Sequence, residues 1–126
     1  MSESGGHIRS HRDLVAWQKA MELVVAVYSA SKTFPKEVTY GLTNQLRRAA
    51  VSVPANIAEG QGRRSKSEFR QFPGNARGSL LELDTHLELA TRLGYLTEEQ
   101  HSHLHAQLQE VGRILNGLLR SLNTDL

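Results

Sequence analysis

Hydrophobic residues recur at steps of three and four along most of the chain, and no segment alternates with period two, so the sequence predicts helices and no sheet. From Asp13 to Lys32, Leu14, Trp17, Met21, Val24 and Tyr28 form the seam of an amphipathic helix, with Asp13 as N-cap and Pro35 enforcing the stop. A second helix is expected from about Thr39 to Glu59, with Leu42, Leu46, Ala49, Ala50, Val53 and Ile57 on one side and Gly60 and Gly62 ending it. Pro54 lies inside this segment, lacks an amide proton and crowds the carbonyl four residues back, which predicts a kink. Ser65-Lys66-Ser67-Glu68 has the form of a capping box and opens a third helix. Phe69, Phe72, Ala76, Leu80, Leu83, Leu87 and Ala90 follow along it, and Gly94 closes it. Phe72-Pro73-Gly74-Asn75 reads as a turn signal, so a break in the third helix is expected to be possible there. The second capping-box pattern, Thr97-Glu98-Glu99-Gln100, starts a fourth helix whose Leu104, Leu108, Val111, Leu115, Leu118 and Leu122 carry the cleanest period in the chain.

Short connections between helices of this length force neighbours to lie antiparallel. The expected fold is therefore all-α, an antiparallel up-down-up-down four-helix bundle over residues 13–126, preceded by a loose arm over residues 1–12. The length of 126 residues, with 39% hydrophobic and 22% charged, suits one domain with a core that needs no staples. The absence of cysteine excludes disulfides, thiol nucleophiles and thiolate metal sites. The longest uncharged stretches, Ala49 to Ala58 and Gln100 to Gln109, are half of what a membrane-spanning helix needs, and the first residues lack the apolar run of a secretory signal. A cytoplasmic protein without membrane contact is the expectation.

A net charge of +2 conceals an asymmetry: residues 36–77 carry eight basic and three acidic side chains, whereas residues 78–126 carry three basic and seven acidic ones. Such polarity suits a polyanion site, or self-association in which one copy's basic surface meets another's acidic one, or simply solvated helix faces. The basic residues gather at Arg63, Arg64, Lys66 and Arg70, with Arg77 farther along the third helix and Arg47 and Arg48 on the second. This is an anion-attracting group fit for RNA or DNA backbone, or for Glu98, Glu99 and Glu110 of a neighbour. Phe69 and Phe72 sit on the hydrophobic seam, so the interleaved aromatics of a single-strand binder are not on offer.

On the second helix, Gln45, Ser52, Asn56 and Glu59 form a narrow polar strip flanking the apolar stripe, within a run of small residues. Small side chains let another backbone come close, and buried amides and carboxylates then need partners. The strip is read either as lying against another helix or another copy of the chain, or as a half-exposed border of the core.

Catalytic constellations are missing. His101 and His105 share a helix face, and His7 and His11 repeat that spacing, but neither Glu-x-x-His nor His-Glu-x-x-His occurs, so solvated histidines and no metal site are expected. Gly60-Gln61-Gly62 lacks the spacing and the lysine of a phosphate loop, and no nucleophile elbow is present. No cofactor and no catalytic residue are expected.

The segments Asp13-Leu14-Val15-Ala16-Trp17-Gln18-Lys19-Ala20, Phe34-Pro35, Tyr40-Gly41-Leu42, the run from Gln45 to Gly60 and Ala76-Arg77-Gly78-Ser79-Leu80-Leu81-Glu82-Leu83 closely resemble the 23S rRNA intervening-sequence proteins of bacteria. The likeness extends over roughly residues 11 to 122, and it is similar residue by residue at Arg47, Arg48, Asn56, Glu59, Gly60 and Arg63 or Arg64. It implies an antiparallel bundle assembling as a ring-shaped homopentamer, with no established enzymatic activity. A relative, the accessory protein of diversity-generating retroelements, shares that fold and ring and binds a reverse transcriptase and nucleic acid. The family name reflects where some of its genes lie and implies no ribosomal role. The chain departs from the pattern at Pro73-Gly74-Asn75, where relatives carry helix-forming apolar residues, and at Gln61, where an aromatic is common. The expected function is a non-catalytic oligomeric scaffold binding nucleic acid, or a nucleic-acid-processing protein, through its basic surface. The alternative is a protein-protein adaptor with no nucleic-acid role.

Overall fold

The hydrophobic periods resolve into four helices, α1 (Val15–Ser31), α2 (Asn44–Gln61), α3 (Lys66–Arg92) and α4 (Glu98–Thr124), in a computed structural model that describes residues 14–61 and 66–124. Among the described residues there is no strand. α1 packs on α2 and α4, and α3 packs on the same two, so α1 and α3 stand at opposite corners of the bundle. Arg77 meets Asn116 and Asp84 meets His105, a falling register that runs α3 and α4 antiparallel. The core is filled from all four sides, with Leu23 and Val27, Leu46, Val53 and Ile57, Leu83 and Leu87, and Val111 and Leu115 nearly or fully inaccessible. Each such side chain contributes roughly 1.5–3 kcal/mol through burial.

The helix ends follow local chemistry. α3 closes on Gly94, whose φ of +85° is a left-handed conformation that glycine adopts without a Cβ clash. Its amide donates to Thr91 O at 3.0 Å and the Tyr95 amide donates to Ala90 O at 2.9 Å, the paired bonds of a Schellman cap. α4 opens on a reciprocal cap. The Gln100 amide donates to Thr97 Oγ1 at 3.0 Å, and the Thr97 amide donates to Gln100 Oε1 at 2.9 Å. Asp13 and Ser65, the expected caps of α1 and α3, lie outside the described residues; α1 begins at Val15 with Leu14 in the capping position.

Two expectations are corrected. The buried face of α1 is Ala16, Ala20, Leu23 and Val27, whereas Met21 and Tyr28 of the expected seam are exposed and Trp17 and Val24 are only partly covered. This helix is apolar around most of its girth, so periodicity could not choose between faces; packing chose the one whose alanines let neighbouring helices approach. α2 runs through Pro54 as a single helix, as the sequence predicts, and is entered through a π-type turn Thr39–Thr43 whose Gly41 has non-helical torsions (φ −109°, ψ −105°). Pro54 is buried beside Val53 and Ile57, whose packing outweighs a lost hydrogen bond of about 1 kcal/mol. Likewise α3 continues through Pro73-Gly74 without a break, with Pro73 fully buried near Ala76. A helix interior penalises proline by about 3 kcal/mol, and the apolar stripe running on to Ala90 offsets it.

Candidate functional site

Of the seven basic candidates, Arg47, Arg48 and Arg77 have described side chains, and each has its own surroundings. Arg47 is half-buried and turned inward: its Nε donates to Ser31 Oγ at 2.8 Å, its Nη2 donates to the Tyr28 carbonyl at 3.3 Å, and its guanidinium lies 4.6 Å from the Tyr28 ring centre. Arg77 is exposed and donates to Asn116 Oδ1 at 3.0 Å. Arg48 is exposed at the mouth of a cleft shared with Glu82. Arg63 and Arg64 lie outside the described residues, as do the side chains of Lys66 and Arg70 at the start of α3.

The polar strip divides. Ser52 and Ser79 share a hydrogen bond of 2.8 Å between α2 and α3, and Asn56 Nδ2 donates to Ser52 O at 2.8 Å and to Ser52 Oγ at 3.0 Å. Ser52 thus reaches another helix of the same chain, and Asn56 is bonded back to Ser52 within α2. Gln45 and Glu59 are exposed, and Gln45 borders a cleft of about 310 Å³ with Arg48, Ser52, Ser79 and Glu82. A broader open trough of about 740 Å³ runs between α1 and α4, lined by small side chains such as Ala26, Ala30, Ser102 and Ala106.

Two apolar stripes face outward, and sequence periodicity gave no reason to expect them there. On α1, Met21, Val25 and Tyr28 lie away from the buried face, with Val25 67% exposed. On α3 and just beyond it, Leu81, Leu89 and Leu93 do the same, with Leu81 66% exposed. Because α1 and α3 occupy opposite corners, the stripes look in opposite directions.

His101 and His105 are not simply solvated, as the sequence suggested. Both are half-buried between α3 and α4, their rings stacked with centroids 5.7 Å apart and 14° between planes. His105 Nδ1 lies 3.2 Å from Asp84 Oδ1, and His101 Nε2 lies 3.5 Å from Glu88 Oε1 without hydrogen-bond geometry. The Arg92 guanidinium, donating from Nε to Glu88 Oε2 at 2.9 Å, holds the Glu88 carboxyl below its ordinary value against the opposing desolvation, with the charges of Arg92, His101 and His105 adding to the lowering. Asp84 and Glu88 were missed in the sequence. Their one-turn spacing was readable there, but which residues of α4 they would meet depends on the α3–α4 register.

No helix of the described residues is long and apolar enough to cross a membrane. The family model of the 23S rRNA-intervening sequence protein matches residues 12–117. Among solved structures, the chain is similar to a protein of unknown function from the S23 ribosomal protein family of Bacteroides thetaiotaomicron VPI-5482, with a TM-score of 0.75 and 24% identity over 83% of this chain and 98% of that one. The likeness shows the shared helical fold. No curated protein matches the chain.

Proposed function

The chain belongs to the 23S rRNA-intervening sequence protein family, and from that premise we propose that it is a non-catalytic helical scaffold that assembles into a closed homo-oligomeric ring, a pentamer, and engages nucleic acid through its basic surface. The carrying observation is the pair of outward apolar stripes on opposite corners, Met21-Val25-Tyr28 and Leu81-Leu89-Leu93. Two different faces on opposite corners suit a heterologous contact, in which one face of each copy meets the other face of the next; closure of that series into a ring of five is what the family resemblance implies.

Nucleic-acid binding rests on the cations at the α2–α3 junction, Arg63, Arg64, Lys66 and Arg70, with Arg48 nearby in sequence. Repeated around a ring, such a group would present a band of positive charge to a phosphate backbone. Titration with duplex DNA and with RNA at several salt concentrations tests the reading. If about five phosphates are neutralised, the log–log salt slope on duplex DNA is near −4. The variant Arg63→Glu/Arg64→Glu/Lys66→Glu is expected to lose that binding while remaining helical. Absence of salt-sensitive binding at low ionic strength would leave a protein-protein adaptor in its place.

A further inference from the structure

We infer that α3 and α4 carry a divalent-metal site whose ligands are Asp84, His101 and His105, with Glu88 at its rim. Two one-turn pairs face each other across an antiparallel helix contact, Asp84 and Glu88 on α3, His101 and His105 on α4. One donor atom from each of Asp84, His101 and His105 lies within 4.8 Å of those of the other two. Zinc bonds of about 2.0–2.1 Å in a tetrahedron place ligand atoms roughly 3.3 Å apart, so closure asks for about 1.5 Å of side-chain movement. All three ligands are half-buried rather than locked in the core, which leaves that movement available.

An ordinary hydrogen-bonded ladder accounts for only part of this arrangement. Asp84 satisfies one nitrogen of His105. Nε2 of His101 is shielded from solvent and has no hydrogen bond, although a carboxylate oxygen stands 3.5 Å away. A shielded imidazole nitrogen without a partner is unfavourable, and coordination satisfies its lone pair. The two rings stack nearly parallel, with 14° between their planes. Glu88 is itself held by Arg92, which fixes a carboxylate beside His101 where it can orient that ring or a water on the metal.

The donor set selects the ion. Two imidazole nitrogens and one carboxylate suit zinc, cobalt, nickel or copper, whereas magnesium and calcium prefer all-oxygen shells. An ion bound here joins the end of α3 to the start of α4 in the folded state alone, and therefore stabilises the bundle as its concentration rises.

The chain also offers a competing pair, His7 and His11, and the experiment separates the two. Zinc is titrated by calorimetry and cobalt by visible absorption into four proteins: the unaltered chain, His7→Ala/His11→Ala, Asp84→Asn and His101→Ala/His105→Ala. Circular dichroism checks that each is helical, and Asp84→Asn keeps side-chain shape if the double histidine variant fails to fold. One equivalent per chain, retained without the arm histidines and weakened about 100-fold or more by Asp84→Asn, supports the site. Absence of binding, binding lost only with His7 and His11, or weak binding indifferent to Asp84→Asn, an adventitious ion only, overturns it.

Discussion

The guanidinium of Arg47 on α2 donates from Nε to the hydroxyl of Ser31 at the last turn of α1, at 2.8 Å, while that hydroxyl donates in turn to the Val27 carbonyl at 2.8 Å. Ser31 is buried, with 3% of its surface accessible, so its oxygen has little water to fall back on. A residue type that composition alone assigns to a polyanion surface is thus bound into the α1–α2 contact, stacked on Tyr28 and bonded to its carbonyl.

Arg47→Ala is therefore expected to cost about 1.5–3 kcal/mol of folding stability by chemical denaturation, the range for a hydrogen bond with a charged partner. Arg47→Lys is expected to recover little, because an ammonium cannot both fork to Ser31 and the Tyr28 carbonyl and lie flat on the ring. An Arg47→Ala protein as stable as the unaltered chain would return this arginine to the solvent-facing set.

Assembly through the two apolar stripes predicts a particular mixing behaviour. Val25→Glu spoils one face and Leu89→Glu the other, and each alone is expected to reduce the oligomer to smaller species in sedimentation while leaving helicity intact. Mixed together, the two variants still hold one good copy of each face between them and are expected to form a one-to-one heterodimer. A self-complementary contact through a single face would give no such rescue.

Between α2 and α3, the Ser52–Ser79 hydroxyl pair predicts a signed coupling. Ser79→Ala alone and Ser52→Ala alone each leave a half-buried hydroxyl or the Asn56 amide short of a partner, and each is expected to cost about 1 kcal/mol in denaturant unfolding. The double variant is expected to cost less than the sum, since both partners go together. Strict additivity would mean that the contact carries no energy.

How far the sequence could be read depended on whether one helix face was chemically distinct. α4, with polar residues between each pair of seam leucines, showed its buried face directly, and Leu104, Leu108, Val111 and Leu115 are buried as the period implies. Its cap was equally legible, because Thr97 and Gln100 act within four residues of chain. α1 was misread because valines and alanines surround it, and only the neighbours decide which are covered. Pro73 was misread because local propensity was weighed without the burial that opposes it. The candidate site followed the same rule. The paired spacings of Asp84 and Glu88, and of His101 and His105, are local, but their meeting is a matter of register, and Arg47's engagement with Ser31 is a contact across sixteen positions.

Glycine conformation supplies a prediction of opposite signs within one helix and its cap. Gly78 sits in the interior of α3, exposed, and a methyl group built on it meets nothing within 4 Å. Alanine there removes unfolded-state freedom without a clash, so Gly78→Ala is expected to stabilise the bundle by about 0.5–1 kcal/mol. Gly94 also has open space around it, but its φ of +85° is strained for any residue with a Cβ. Gly94→Ala is therefore expected to destabilise by about 1 kcal/mol, through backbone conformation alone, and to loosen the Schellman cap that sets the turn into α4. Thermal melts of the two variants side by side distinguish backbone cost from packing cost, because neither added methyl has a neighbour to press against. Equal shifts in the same direction would contradict the left-handed assignment at Gly94.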